Sequence, residues 1–184
     1  MKTESTVKYV IRLAGILLLI TAIVALALAC VNKVTAPIIA QLNAEKTQKA
    51  IETVLPGGYD EEITDYTDAT GLVSKVYKGA NGYALEVKPS GFDNTITMMV
   101  GVDFEGKVRG ISVVSHTETA GLGAVAAAKT SAGEAFRSQF VGQSGAVQVS
   151  KDGGNMDAIT GATITSRAIC VGINAALDCV GGLG

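Results

Sequence analysis

Apolar positions are spread unevenly along the chain, and their spacing changes three times. From Leu13 to Val31 the sequence reads LAGILLLITAIVALALACV, without a single charge. A helix of about 20 such residues crosses the roughly 30 Å hydrocarbon core of a bilayer. The segment is therefore expected to be a transmembrane helix, preceded by a short tail, residues 1–12. Next, Pro37 to Leu55 carries Ala50, Ile51, Val54 and Leu55 at helical spacing, and Pro56-Gly57-Gly58 ends the run. Residues 32–70 are thus expected to be a membrane-proximal helix and linker. The linker's Tyr59 to Thr70 is acidic and irregular.

The period then falls to two. Tyr83, Leu85 and Val87 fall on every second position, and so do Ile96, Met98, Val100 and Val102. Asp103 to Lys107 (DFEGK) reads as a hairpin turn, with Val108 to Ser115 as the returning strand. Val147 and Val149 suggest one more short strand. Between these, Ala132 to Phe140 predicts a short helix with Phe136 and Phe140 on one face. Ile169, Ile173, Ala176, Leu177 and Val180 predict a last helix with one buried face. Strands grouped together and flanked by helices imply an α+β fold, an antiparallel sheet with helices against it, over residues 71–184.

Charge gives the anchor a direction. Lys2, Lys8 and Arg12 precede the apolar run and Lys33 follows it. Because segments rich in Lys and Arg stay in the cytoplasm, the N-terminus is expected there and the domain outside, in a single-pass cell-membrane protein. A cleaved signal peptide is the first alternative, but its apolar core is usually roughly 7–15 residues. A lipoprotein signal is the second, from Ala27-Leu28-Ala29-Cys30, although the leucine sits in the wrong place.

Composition narrows the chemistry. The net charge is −2, aromatics are 5 % and tryptophan is absent, so nothing marks a nucleic-acid surface. Cys30, Cys170 and Cys179 form no Cys-x-x-Cys pair, and His116 is the only histidine, so no metal site is expected. On one helix, Cys170 and Cys179 lie about 13 Å apart, beyond the roughly 7 Å that a disulfide spans. Free thiols are the expectation. The acidic residues 60–68 lack the spacing of a calcium loop and read as a solvated surface.

Two segments carry candidate chemistry. The first, Asp157-Ala158-Ile159-Thr160-Gly161-Ala162-Thr163-Ile164-Thr165-Ser166, leads into the last helix. Helix N-termini have unpaired N–H groups and a positive dipole end that favour a phosphate. By itself this supports either an anion site or a cap made by Thr160. The second, Ser115 to Gly123 (SHTETAGLG), follows a strand.

The span Asp157 to Thr163 resembles the flavin-attachment sequence of the FMN-binding domain family: Asp, a small residue, any residue, Ser or Thr, Gly, Ala, Thr. Ala158 stands where glycine is common. Glu118 to Gly123 resembles that family's Glu-Thr-Pro-Gly-Leu-Gly loop, with Ala120 in place of proline. The resemblance implies one FMN per chain, esterified through its phosphate to Thr163 by a separate flavin transferase that uses magnesium and FAD. Thr165 is a rival acceptor outside the motif's last position. Asp157, Thr160, Gly161, Ala162 and Ile164 would surround the attachment, with Asp157 docking the segment or positioning the transferase's metal. Glu118, Thr119, Gly121, Leu122 and Gly123 would contact the flavin. His116 is assigned no catalytic role, since an electron-carrying flavin needs no general base.

Within the family, a single N-terminal span and an outside flavin domain are shared by the G-subunit branch of Rnf ion-translocating oxidoreductases and the C-subunit branch of sodium-translocating NADH:quinone reductases; the second is usually longer, and this short chain resembles the first more. That implies an electron-relay subunit with no catalytic residue of its own. Its partners would be the other membrane subunits of a complex coupling ferredoxin:NAD electron transfer to Na⁺ or H⁺ translocation. The chain has no Gly-x-Gly-x-x-Gly opening a helix after a strand, so it is not expected to oxidise NADH alone. Two rivals remain: a stand-alone membrane-anchored flavoprotein carrier outside the cell, and a cofactor-free tethered scaffold.

Overall fold

The computed structural model describes residues 2–183, with side chains from Thr6 onward. Met1 and the side chain of Lys2, part of the tail used to orient the anchor, lie outside the described residues. The chain divides into two compact units, one ending at Glu45 and one beginning at Lys46.

Helix α1, Lys2–Val54, runs from the first unit into the start of the second. The expected tail, span and membrane-proximal helix therefore form one helix, without a break after Val31. Pro37 lies inside it, where it removes one backbone donor. Side chains along the apolar run are bare: Leu17 is 64 % exposed and Leu18 71 %. Thr6–Val54 is long and apolar enough to cross a membrane.

The second unit is built on a five-stranded antiparallel meander in chain order. Its strands are β1 (Glu61–Ile63), β2 (Val73–Gly79), β3 (Gly82–Val87), β4 (Thr97–Val102) and β5 (Val108–Ser115). The hairpin expected at 103–107 is present. Asp103 Oδ1 accepts from the Glu105 and Lys107 amides at 2.9 and 2.8 Å, and Gly106 supplies the positive φ of 77°.

Registers place Val76, Leu85, Val100 and Ile111 side by side on one face. Helix α3, Thr163–Gly181, covers that face with Ile169, Ile173 and Ala176, joined by Phe136 and Phe140 of the α2 region (α2, Ser131–Ser138). The rings of Phe136 and Phe140 meet edge to face, 5.3 Å apart. Although α3 is also long and apolar, most of it is buried against this sheet, as a core helix is.

The opposite face is covered as well, which the alternating pattern did not foretell. Ala50, Ile51, Val54 and Leu55, at the end of α1, pack on Tyr77, Ala84 and Met99. All six residues of β3 are buried as a result. Close approach is possible because position 101 is glycine: a Cβ there would stand 2.3 Å from the Val54 carbonyl oxygen.

Residues 147–149 do not form a strand. Val149 makes an isolated parallel bridge with Met156. The amide of Asn174 on α3 replaces the missing strand partner, accepting from Val147 N at 2.7 Å and donating to Val147 O at 2.9 Å. In the acidic linker, Asp68 is engaged rather than merely solvated. Its carboxylate accepts from Thr70 N, Thr70 Oγ1 and Val73 N at 2.6–2.8 Å. Cys170 and Cys179 are free and buried, and burial pushes the Cys170 thiol up to about 11.

Candidate flavin site

The first turn of α3 owes its shape to Gly161 and Ser166. Gly161 has φ 76°, and the Ala162 amide turns back to the Ile159 carbonyl at 2.9 Å. Ser166 Oγ accepts from Ile159 N and donates to Ala162 O, both at 3.0 Å, which ties the approaching loop to the helix. Ala162 is the N-cap, and no side chain caps the helix. The capping role considered for Thr160 is therefore overturned: Thr160 is exposed, two residues before the cap. An uncapped N-terminus keeps its outward N–H groups available to an anion.

Thr163 is the first residue of α3 and is half-buried. Lys151 Nζ donates to its Oγ1 at 3.1 Å. Lys151 belongs to a 3₁₀ turn, Ser150–Asp152, fixed to α3 by the next residue. Asp152 receives Arg167 Nε at 2.6 Å and Nη2 at 2.5 Å. This hydrogen-bonded guanidinium holds the Asp152 carboxyl below its usual range.

The second segment meets the first through Glu118, a buried carboxylate. Its Oε2 accepts from Thr165 Oγ1 at 2.5 Å and its Oε1 from Phe92 N at 2.8 Å. Glycines make room for it: a Cβ on Gly91 would lie 2.1 Å from Oε1, and one on Gly123 would lie 2.4 Å from Oε2. Thr165, the rival acceptor, is thus buried with its hydroxyl committed to Glu118. Beyond Glu118 the chain turns on the Thr119 carbonyl, which accepts from Leu122 N at 3.1 Å and Ala124 N at 3.2 Å. Gly121 takes φ 76° in that turn. The loop keeps a defined turn with Ala120 where the family pattern has proline.

These elements enclose a cavity of about 290 Å³ lined by Phe92, Glu118, Thr119, Leu122, Gly123, Lys151 and residues 161–165. Of the residues expected at the cofactor, the structure brings Glu118, Thr119, Leu122, Gly123, Gly161, Ala162, Thr163 and Ile164 together here. Asp157, Thr160 and Gly121 line a neighbouring hollow beside α2. Asp157 is held there by its backbone, its N–H donating to Gln139 Oε1 at 2.7 Å and its carbonyl accepting from Gln139 Nε2 at 3.0 Å. His116 lies behind Glu118, and its Nδ1 has no hydrogen-bond partner among the described residues.

Lys151 and Phe92 were missed in the sequence. Neither belongs to a motif, and only the fold carries them to the cavity. A cation and free helix N–H groups at one side suit a phosphate. The exposed apolar side chains of Phe92, Leu122 and Ile164 suit a planar ring.

Comparison with known proteins agrees with this chemistry. The FMN-binding domain family matches residues 91–178. The G subunit of the Na(+)-translocating ferredoxin:NAD(+) oxidoreductase complex of Acetobacterium woodii is 32 % identical, over 96 % of this chain and 94 % of its own. The chain belongs to the G-subunit family of ion-translocating oxidoreductase complexes. A second member, the G subunit of the ion-translocating oxidoreductase complex of Methanosarcina acetivorans, is 31 % identical over 94 % of this chain and 95 % of its own. The G subunit of the proton-translocating ferredoxin:NAD(+) oxidoreductase complex of Clostridium ljungdahlii is 39 % identical over 52 % of this chain and 51 % of its own. Relatives similar to this chain thus carry names with different coupling ions.

Proposed function

We propose that this chain is the electron-relay subunit of a membrane-bound Rnf-type complex that couples ferredoxin:NAD electron transfer to Na⁺ or H⁺ translocation, and that it carries one FMN esterified to Thr163. The observation behind this reading is the Thr163 hydroxyl at the uncapped start of α3, lining the cavity beside Lys151. Thr165, two residues on, is already spoken for by Glu118.

Attachment balances as a transfer from FAD. Thr163 Oγ attacks the phosphorus on the FMN side of the pyrophosphate and the P–O–P bond breaks. AMP leaves, and the hydroxyl proton is released through the flavin transferase. Thr163 becomes a phosphodiester, and the isoalloxazine keeps its redox chemistry. When bound, the flavin accepts and passes on electrons. The protein fixes it through the 161–165 turn, limits water access with Leu122, Ile164 and Phe92, and presents it to neighbouring membrane subunits.

Lys8 and Arg12 precede the apolar run, which supports a cytoplasmic N-terminus and a flavin domain on the outer side. Covalent attachment suits that side, where a released cofactor would be lost.

The test is to produce the chain with an active flavin transferase, denature it, and read flavin fluorescence and intact mass. A fluorescent band heavier by FMN minus water, and lost in Thr163→Val, is expected. A dark band of unmodified mass overturns the covalent reading.

A further inference from the structure

We propose that Lys151 is the counter-ion of the flavin phosphate: it receives the phosphoryl group as it is transferred to Thr163 and then holds the finished diester. This rests on the reading of Thr163 as the acceptor.

Four observations carry it. Lys151 Nζ stands 3.1 Å from the oxygen that would become the bridging atom, and both residues line the same cavity. An ammonium has three donors, and Thr163 occupies one, leaving two for non-bridging phosphoryl oxygens. No carboxylate forms an ion pair with Lys151 among the described residues, whereas Asp152 beside it is taken by Arg167. Lys151's place is built rather than incidental. The Asp152–Arg167 pair fixes the 150–152 turn to α3 one helical turn beyond Thr163. On its other side, the turn closes on Gly153 at φ 90° and Gly154, where a Cβ would stand 2.1 Å from the Gln148 carbonyl oxygen.

The chemistry needs a positive charge at this point. As the pyrophosphate is attacked, negative charge gathers on the phosphoryl oxygens, and a fixed cation stabilises it. The product diester keeps one negative charge, which a lysine pairs through a charge-assisted hydrogen bond. Lys151 takes no proton in this role. Because its own hydrogen points at Thr163 Oγ1, the hydroxyl proton is left free to depart toward the transferase.

The experiment uses the full chain in detergent with FAD, Mg²⁺ and flavin transferase, following loading by intact mass over time. Lys151→Gln is expected to load roughly ten- to a hundredfold more slowly, the effect of losing one charge-assisted hydrogen bond in the transfer step. Lys151→Arg is expected to recover most of the rate. A second readout needs no variant. Reductive methylation of Lys151 is expected to slow after flavin attachment, with exposed Lys129 as the internal reference, and this decides the matter even if Lys151→Gln folds poorly. Wild-type loading with equal methylation of Lys151 before and after overturns the proposal, as does a folded Lys151→Gln that loads at the wild-type rate. If the wild type itself takes no flavin from a transferase proven on another substrate, the Thr163 reading falls, and this proposal falls with it.

Discussion

Glu118 and Thr165 are 47 residues apart in the chain, yet the threonine hydroxyl donates to the buried carboxylate at 2.5 Å. This contact joins the loop after β5 to the first turn of α3 and gives the cavity its fixed floor. Thr165→Val keeps the shape and removes the donor, leaving the buried Glu118 side chain short of one partner. Hydrogen bonds to charged groups contribute about 1.5–3 kcal/mol. Urea unfolding of Thr165→Val is expected to show a loss of that size. A variant as stable as the wild type would remove Glu118–Thr165 as a structural tie.

Gly101 is expected to tolerate no larger residue. A Cβ there meets the Val54 carbonyl at 2.3 Å, a backbone atom that cannot rotate away. Gly101→Val should cost about 1–3 kcal/mol or more through overpacking, visible as a lower thermal midpoint. Gly106→Ala, a turn position with open space around it, tests φ strain alone and should cost less.

Cys170 should be chemically silent while the domain is folded. Burial raises its thiol to about 11, so the thiolate that reacts with iodoacetamide is scarce at neutral pH. Cys179 is raised by burial too. Peptide mapping after labelling at pH 8 should find both unmodified in the native chain and both modified after denaturation.

Asp68 should make stability depend on acid. Burial acts to raise its carboxyl, but hydrogen bonds from Thr70 and Val73 outweigh this and leave it lowered. A carboxyl whose folded value lies below its unfolded value, about 3.9, contributes fully above that value. The contribution is lost as pH falls through the lower, folded value. Asp68→Asn is therefore expected to flatten the acid limb of a stability-versus-pH curve. An unchanged acid limb would show that other carboxylates control it.

Much of this architecture was legible from periodicity. Alternation marked β3 and β4, the DFEGK turn gave β5 as the returning strand, and the two phenylalanines of the α2 region fell where their spacing put them. β2 was not singled out, because Val73-Ser74-Lys75-Val76-Tyr77 has no strict alternation. The covered second face was invisible for a related reason. Ala84 looks like a solvent position until α1's last turns are laid over it. The motif segments named Thr163 and the Glu118 loop, and the fold brings both to the wall of one cavity. Lys151 and Phe92 escaped because their place depends on the Asp152–Arg167 pair and on the bond from Phe92 N to Glu118, contacts between distant parts of the chain.

The last turns of α1 change what the anchor is. Residues expected only as a membrane-proximal helix supply one of the two layers that sandwich the sheet. A protease cutting after Leu55 would release not a soluble flavin domain but a sheet with Tyr77, Ala84 and Met99 laid open to water. Separation from the membrane that keeps the sheet covered requires a cut before Ala50, so the domain and the root of its own helix belong together as one piece.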